Sequence, residues 1–137
     1  MPLSVKDVMH RLMTTNAEES VFVAVQMMSD KNVGSIIVEE DGKPVGIITE
    51  RDIVGKISAR GLDPKDVRCK EIMSPSLITV SSGAGLQQAT QVMDDNNIKK
   101  LLVVDQAGKI VGIVSMTDLL RPITAMFDAM EILKRFV

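Results

Sequence analysis

The stretch VGIITERD, residues 45–52, returns as VGIVSMTD at residues 111–118. In each copy an apolar run containing one glycine ends at Thr49 or Ser115, and an aspartate follows three positions later, at Asp52 or Asp118. An apolar run leading into Thr/Ser-x-x-Asp predicts a strand that turns directly into a capped helix. Such a cap needs no ligand. The same carboxylate could also accept hydrogen bonds from a bound molecule, and the residues leave both roles open at one site.

Working outward from this element, the similarity continues on its N-terminal side. DGKPVGIITERDIV (41–54) matches AGKIVGIVSMTDLL (107–120), MMSDKNVGSIIV (27–38) matches VMDDNNIKKLLVV (92–104), and KDVMHRLMTT (6–15) matches KEIMSPSLITV (70–80). Three collinear matches at nearly constant spacing identify an internal duplication. Each copy has one grammar. A short strand is expected at Leu12–Thr15 and at Leu77–Val80. A helix follows, with Val21, Ala24, Val25 and Met28 at helical spacing behind a Ser20 cap, and with Leu86, Ala89, Val92 and Met93 in the second copy. A hairpin comes next: Ser35–Val38 and Val45–Ile48 around Asp41-Gly42-Lys43, or Leu101–Val104 and Ile110–Val114 around Gly108. A second helix starts at Thr49 or Ser115. The fold class is α/β (α+β), two β-α-β-β-α repeats.

The expected organisation is a first repeat at residues 5–60, a connector at 61–69, a second repeat at 70–122 and a C-terminal amphipathic helix at 123–137. Gly61 and Pro64 turn the chain between repeats, and Cys69 reads as ordinary spacer. Val5, Val8, Met9 and Leu12 form a short amphipathic helix. After Pro122, Ile123, Met126, Phe127, Met130, Leu133 and Val137 form an apolar stripe that reads as a packing helix or a contact with a second subunit. Phe22 and Val23 make the first long helix apolar on more than one face, which also favours a homodimer. Each repeat is small, so the two are expected to pack face to face.

The 137 residues are 45% hydrophobic and 25% charged, with a net charge of −2, which offers no whole-protein attraction to nucleic acid or acidic membranes. Trp and Tyr are absent, which disfavours base-stacking platforms. The single cysteine excludes an internal disulfide and fits a reducing compartment. Residues 1–13 are interrupted by Lys6, Asp7, His10 and Arg11, unlike a signal peptide, and the expected location is cytoplasmic.

These residues carry a resemblance. The opening Asp-Val-Met or Glu-Ile-Met, the middle strand and the apolar-Gly-apolar-x-[Thr/Ser]-x-x-Asp element, all in register twice over residues 5–122, resemble a tandem pair of CBS domains, the module named after cystathionine β-synthase. The resemblance implies a pair of repeats with pseudo-twofold symmetry, frequent dimerisation, and binding of AMP, ADP, ATP or, less readily, S-adenosylmethionine in clefts between repeats. It further implies that each cleft borrows from both repeats. Asp52, Thr49 and Arg51 would face Met73, Ile78, Ile98, Lys99 and Lys100. Asp118, Ser115 and Thr117 would face Met9, Met13, Val33, Gly34 and Ser35.

The residue chemistry suits that role. A carboxylate can accept from both ribose hydroxyls, and a hydrogen bond to a charged group contributes about 1.5–3 kcal/mol. A helix N-terminus favours the carboxylate and a nearby phosphate, and methionine adapts to a purine face. Arg51, Lys99 and Lys100 make the Asp52 cleft the one expected to take more phosphates. Thr117, Gly34 and Ser35 at the matching places make the Asp118 cleft the weaker one.

An enzyme is not expected. His10 is the single histidine, with no evident acid or nucleophile partner, and no GxxxxGK[S/T], HExxH or Gly-x-Ser-x-Gly is present. No catalytic residue, catalytic cofactor or metal ligand is assigned. The leading reading is a regulatory adenine-nucleotide-binding module acting on a separate, unidentified protein. The alternatives are an interaction module with degenerate nucleotide sites and, on Arg51, Lys99, Lys100 and Arg121, a nucleic-acid binder.

Overall fold

The computed structural model describes residues 3–75 and 77–136; Val137, the last member of the C-terminal stripe, lies outside them. The chain divides into two compact units. One contains residues 12–77. The other joins residues up to 11 with residues from 78 onward.

In the unit 12–77 the order is β1 (Thr14–Asn16), α1 (Val21–Lys31), β2 (Ser35–Glu40), β3 (Lys43–Thr49), α2 (Glu50–Lys56) and a short α3 (Cys69–Ile72). The sheet runs β1-β2-β3, with β1 parallel to β2 and β2 antiparallel to β3. The other unit repeats the plan with β4 (Thr79–Ser81), α4 (Leu86–Asn96), β5 (Lys100–Val104), β6 (Ile110–Ser115) and α5 (Met116–Leu133), the sheet running β4-β5-β6. Both sheets shift register at the same place, after Val38 and after Val103.

Local chemistry places these elements. Ser20 caps α1 by accepting the Val23 N–H at 3.4 Å. α1 and α4 both stop at an asparagine, Asn32 or Asn97, in the left-handed conformation that closes a helix end. The apolar periodicity then buries as expected. Val21, Ala24, Met28, Ile36, Val38 and Ile48 fill one core, and Ala89, Met93, Leu101, Val103, Val114 and Leu119 fill the other.

Three sequence expectations change. The segment around Val5 is a single 3-10 turn (Val5–Asp7), and Val5 is fully buried in the core of the unit built from the second repeat. Its backbone N–H donates to the Ala84 carbonyl, and the Lys6 N–H donates to the Ser82 carbonyl. Correspondingly, Cys69 is no spacer. With Val67 and Ile72 it completes the core of the unit 12–77, and burial pushes its thiol up to about 11. Each leading turn therefore docks on the sheet of the opposite repeat.

The third change is at Pro122. It does not start a separate helix: α5 continues through it to Leu133, forgoing the bond its missing N–H would have made to the Asp118 carbonyl. The stripe beyond finds no packing partner among the described residues; Met126, Phe127 and Leu133 are each more than 60% exposed. Phe22, by contrast, has a neighbour in its own unit, the Lys65 ammonium 5.0 Å from its ring centre. No helix among the described residues is long and apolar enough to cross a membrane.

The glycine of each repeated element is required by a close approach. A Cβ on Gly46 would lie 2.6 Å from Met73 Sδ, and one on Gly112 would lie 2.7 Å from Met9 Sδ and 2.8 Å from the His10 carbonyl oxygen. The first clash involves a flexible side chain, whereas the second also involves backbone. Gly112→Ala should therefore cost about 1–3 kcal/mol, and Gly46→Ala less. Urea unfolding of the two variants would measure the order; equal losses would contradict it.

Candidate functional site

Each third strand enters its helix through a reciprocal cap. The Thr49 backbone N–H and hydroxyl donate to Asp52 Oδ2 at 2.9 and 3.1 Å, and the Asp52 N–H donates to Thr49 Oγ1 at 3.3 Å. In α5 the Ser115 N–H and hydroxyl donate to Asp118 Oδ2 at 2.8 and 2.9 Å, and the Asp118 N–H donates to Ser115 Oγ at 3.2 Å. Oδ2 thus belongs to the cap in both copies.

The aspartates are the buried charged residues among those described, at 9% and 3% exposure, and a buried charge needs a partner. The other oxygen, Oδ1, has one in each copy, and the two differ. Asp52 Oδ1 lies 3.1 Å from Lys56 Nζ, one turn along α2, and that ammonium also donates to the Ile72 carbonyl at 2.8 Å. The matching position in α5 is Pro122. Asp118 Oδ1 instead meets His10 Nε2 at 2.5 Å, with Arg121 Nη2 at 3.5 Å.

His10 is delivered by backbone pairing. Its N–H donates to the Ile113 carbonyl at 2.8 Å, and its carbonyl accepts the Ile113 N–H at 3.0 Å. Ser74 pairs in the same way with Ile47. His10 and Ser74 therefore occupy matching places, each beside the strand that ends in the cap.

Of the residues singled out from sequence, Thr49 and Asp52 come together, as do Ser115 and Asp118. Gly34 and Ser35 flank the first cap: Ser35 is opposite Thr49, and the Gly34 carbonyl accepts the Glu50 N–H at 3.1 Å. Lys99 and Lys100 flank the second in the same way, Lys100 opposite Ser115 and the Lys99 carbonyl accepting the Met116 N–H at 2.8 Å. Arg51 and Thr117 are exposed on the first turns of their helices. Met13, Val33 and Met73 are half-buried against the core of the unit 12–77, and Met9, Ile78 and Ile98 against the other. Lys99, Ile98 and Met116, with Gln87, Gln91 and Asp94 of α4, line a cavity of about 370 Å³ within the second unit.

Sequence reasoning missed His10, Lys56 and Arg121 as partners of the aspartates. His10 was expected to lack an acid partner, and the structure overturns that: Asp118, 108 residues away, is its partner. Lys56 and Arg121 carried a legible signal, a cation four or three positions after a helical carboxylate.

Burial alone would push the Asp118 carboxyl up. The Ser115 N–H, the His10 bond and the Ser115 hydroxyl outweigh it, and the group lies below its ordinary value of 3.8. A depressed carboxyl stabilises the fold above its unfolded value and loses that contribution as pH falls through the folded one. Asp118→Asn should therefore flatten the loss of melting temperature as pH is lowered below about 4. An unchanged acid limb in a pH series of thermal melts would contradict the assignment.

Comparison with known proteins gives a consistent result. The family model described as CBS domain matches residues 5–59 and 69–125. An uncharacterized protein of Methanopyrus kandleri is 38% identical over 121 residues, which are 87% of this chain and 62% of that protein. The chain thus spans less than two thirds of that relative. The CBS domain-containing protein YhcV of Bacillus subtilis is 36% identical over 117 residues, 85% of this chain and 82% of YhcV. Among solved structures, a hexameric CBS-CP12 protein from bloom-forming cyanobacteria superposes with a TM-score of 0.78 at 32% identity, covering 88% of this chain and 71% of that one.

Proposed function

The chain belongs to the CBS-domain family, and from that premise we propose that it is a non-catalytic regulatory module that binds adenine nucleotides through its two strand-to-helix caps. The family is a regulatory one and binds adenosine ligands. The observation that carries the reading is the divided carboxylate. Oδ2 of Asp52 and of Asp118 is committed to the cap, while Oδ1 is held only by side chains that can move. A ribose hydroxyl donating to Oδ1 would leave the cap intact. Cap and ligand site are then compatible in one residue.

On the family resemblance alone, the contacts proposed around Asp52 are Thr49, Arg51, Met73, Ile78, Ile98, Lys99 and Lys100, the two lysines reaching phosphate from their place beside the Ser115 cap. Those proposed around Asp118 are Met9, Met13, Val33, Gly34, Ser35, Ser115 and Thr117. AMP, ADP and ATP are the ligands proposed first, S-adenosylmethionine after them. A bound nucleotide would act on a separate protein by favouring one arrangement of the module over another, to the extent of its difference in affinity for the two.

Titration calorimetry with AMP and ATP tests the assignment. Asp52→Ala should weaken ATP binding at least tenfold, one charge-assisted hydrogen bond or more, and Asp118→Ala should weaken it less. Unchanged affinity in Asp52→Ala would remove Asp52 from the site. No response of the unaltered protein to AMP, ATP or S-adenosylmethionine would favour the interaction-module reading instead.

The exposed apolar residues of α5 also support self-association. We propose a homodimer that covers part of this face. Light scattering at micromolar concentration should return twice the chain mass; a monomer, or the six copies of the cyanobacterial neighbour, would reject the dimer.

A further inference from the structure

The two caps are alike, but the groups that close their free oxygens are not interchangeable. At Asp52 the partner is a lysine on the same helix, with a flexible stem and a half-exposed side chain. It can swing aside and remain near the carboxylate, or follow a phosphate. At Asp118 the partner is His10, which comes from outside the helix. Two backbone hydrogen bonds to Ile113 fix its main chain against Gly112, where no side chain intervenes, while its ring is itself half-exposed. Its imidazole can leave Oδ1 only by rotating about its own side-chain bonds. The matching place in the other unit is Ser74, for which no bond to Asp52 is present among the described residues. The position a ligand hydroxyl would need is thus held by an imidazole from another segment in one copy and by a lysine of the same helix in the other.

We propose that His10 is a built-in competitor for the Asp118 site and makes the two nucleotide sites unequal: with Asp118 3% exposed and the imidazole on Oδ1, a ligand hydroxyl takes that oxygen by displacing the imidazole. This rests on the nucleotide-binding reading above and adds a specificity-determining residue to it. It also gives a cause for a weaker Asp118 site that differs from a shortage of cations, because Arg121 stands at this carboxylate. A ligand that donates hydroxyls to Oδ1 and carries an anionic group would suit the site best. It would replace the imidazole and could then pair with the released His10 and with Arg121.

The test isolates the Asp118 site in an Asp52→Ala background and compares it with Asp52→Ala/His10→Ser, which installs the residue found at the matching place in the other repeat. AMP affinity by calorimetry should rise about tenfold on removing His10, the factor expected for one hydrogen bond to a charged group. A merely structural role for His10 would leave affinity unchanged or lower it, and either result overturns the proposal. If the unaltered protein binds AMP but neither variant does, the Asp118 site takes no nucleotide and the proposal fails while binding at the Asp52 cap stands. If the unaltered protein binds no AMP, both fail.

A second measurement needs no variant. The chain has one histidine, so its ring nitrogen resonances are unambiguous. Saturating AMP should shift the His10 Nε2 signal as the Asp118 bond breaks. A signal unmoved by AMP that demonstrably binds would also overturn the displacement.

Discussion

Much of the structure hangs on how a buried aspartate divides its two oxygens. One oxygen takes the backbone N–H and hydroxyl of the preceding Thr or Ser and thereby starts the helix at the end of the third strand. A carboxylate in a helix's first turn is favoured by the unpaired N–H groups there. With that oxygen committed, the residue can offer a ligand only its second one. That oxygen cannot stay bare at 3–9% exposure, so the fold supplies a cation or an imidazole to it. The internal partner is thus a consequence of burying the cap, and it sets the terms on which anything else can bind.

The supply route depends on the missing side chain two positions before the strand ends its apolar run. Gly112 and Gly46 let the leading segment of a repeat lie against the strand, with Met9 and Met73 over the glycines. The segment then pairs through His10 or Ser74. Because each leading turn docks on the sheet of the opposite repeat, the second cap receives its histidine from the N-terminal end of the chain, while the first receives a serine from the middle. One duplicated backbone arrangement carries two chemistries. Duplication preserved the glycine, the methionine and the cap; divergence acted on the residue beside the methionine and on the position one turn after the aspartate, Lys56 or Pro122.

This asymmetry matters for a regulatory module. Two identical sites would fill together as ligand concentration rises. If ligands enter both caps as proposed, carboxylates that release different internal partners would give the two sites different thresholds, and the module would respond in steps. The apolar side of α5 lies outside these caps. Its hydrophobic side chains are exposed from Ile123 to Phe136, the face on which the proposed self-association would draw.

The sequence by itself determined the duplication, the strand and helix grammar, the two reciprocal caps and the apolar residues of both cores. Apart from the duplication, which is read by comparing distant segments, these depend on residues two to four positions apart, where helical and strand periodicity and capping chemistry act. It also held the signal for Lys56 and Arg121, which lie within one turn of their aspartates. Only the tertiary structure decided that Val5 and Cys69 complete the cores of the opposite repeats' units, that α5 runs through Pro122, and that His10 bonds to Asp118. Each of the docking contacts joins segments far apart in the chain, 108 residues in the case of His10 and Asp118. Their pairing follows from which buried charge lacks a partner after the local bonds have formed, and no local pattern encodes that.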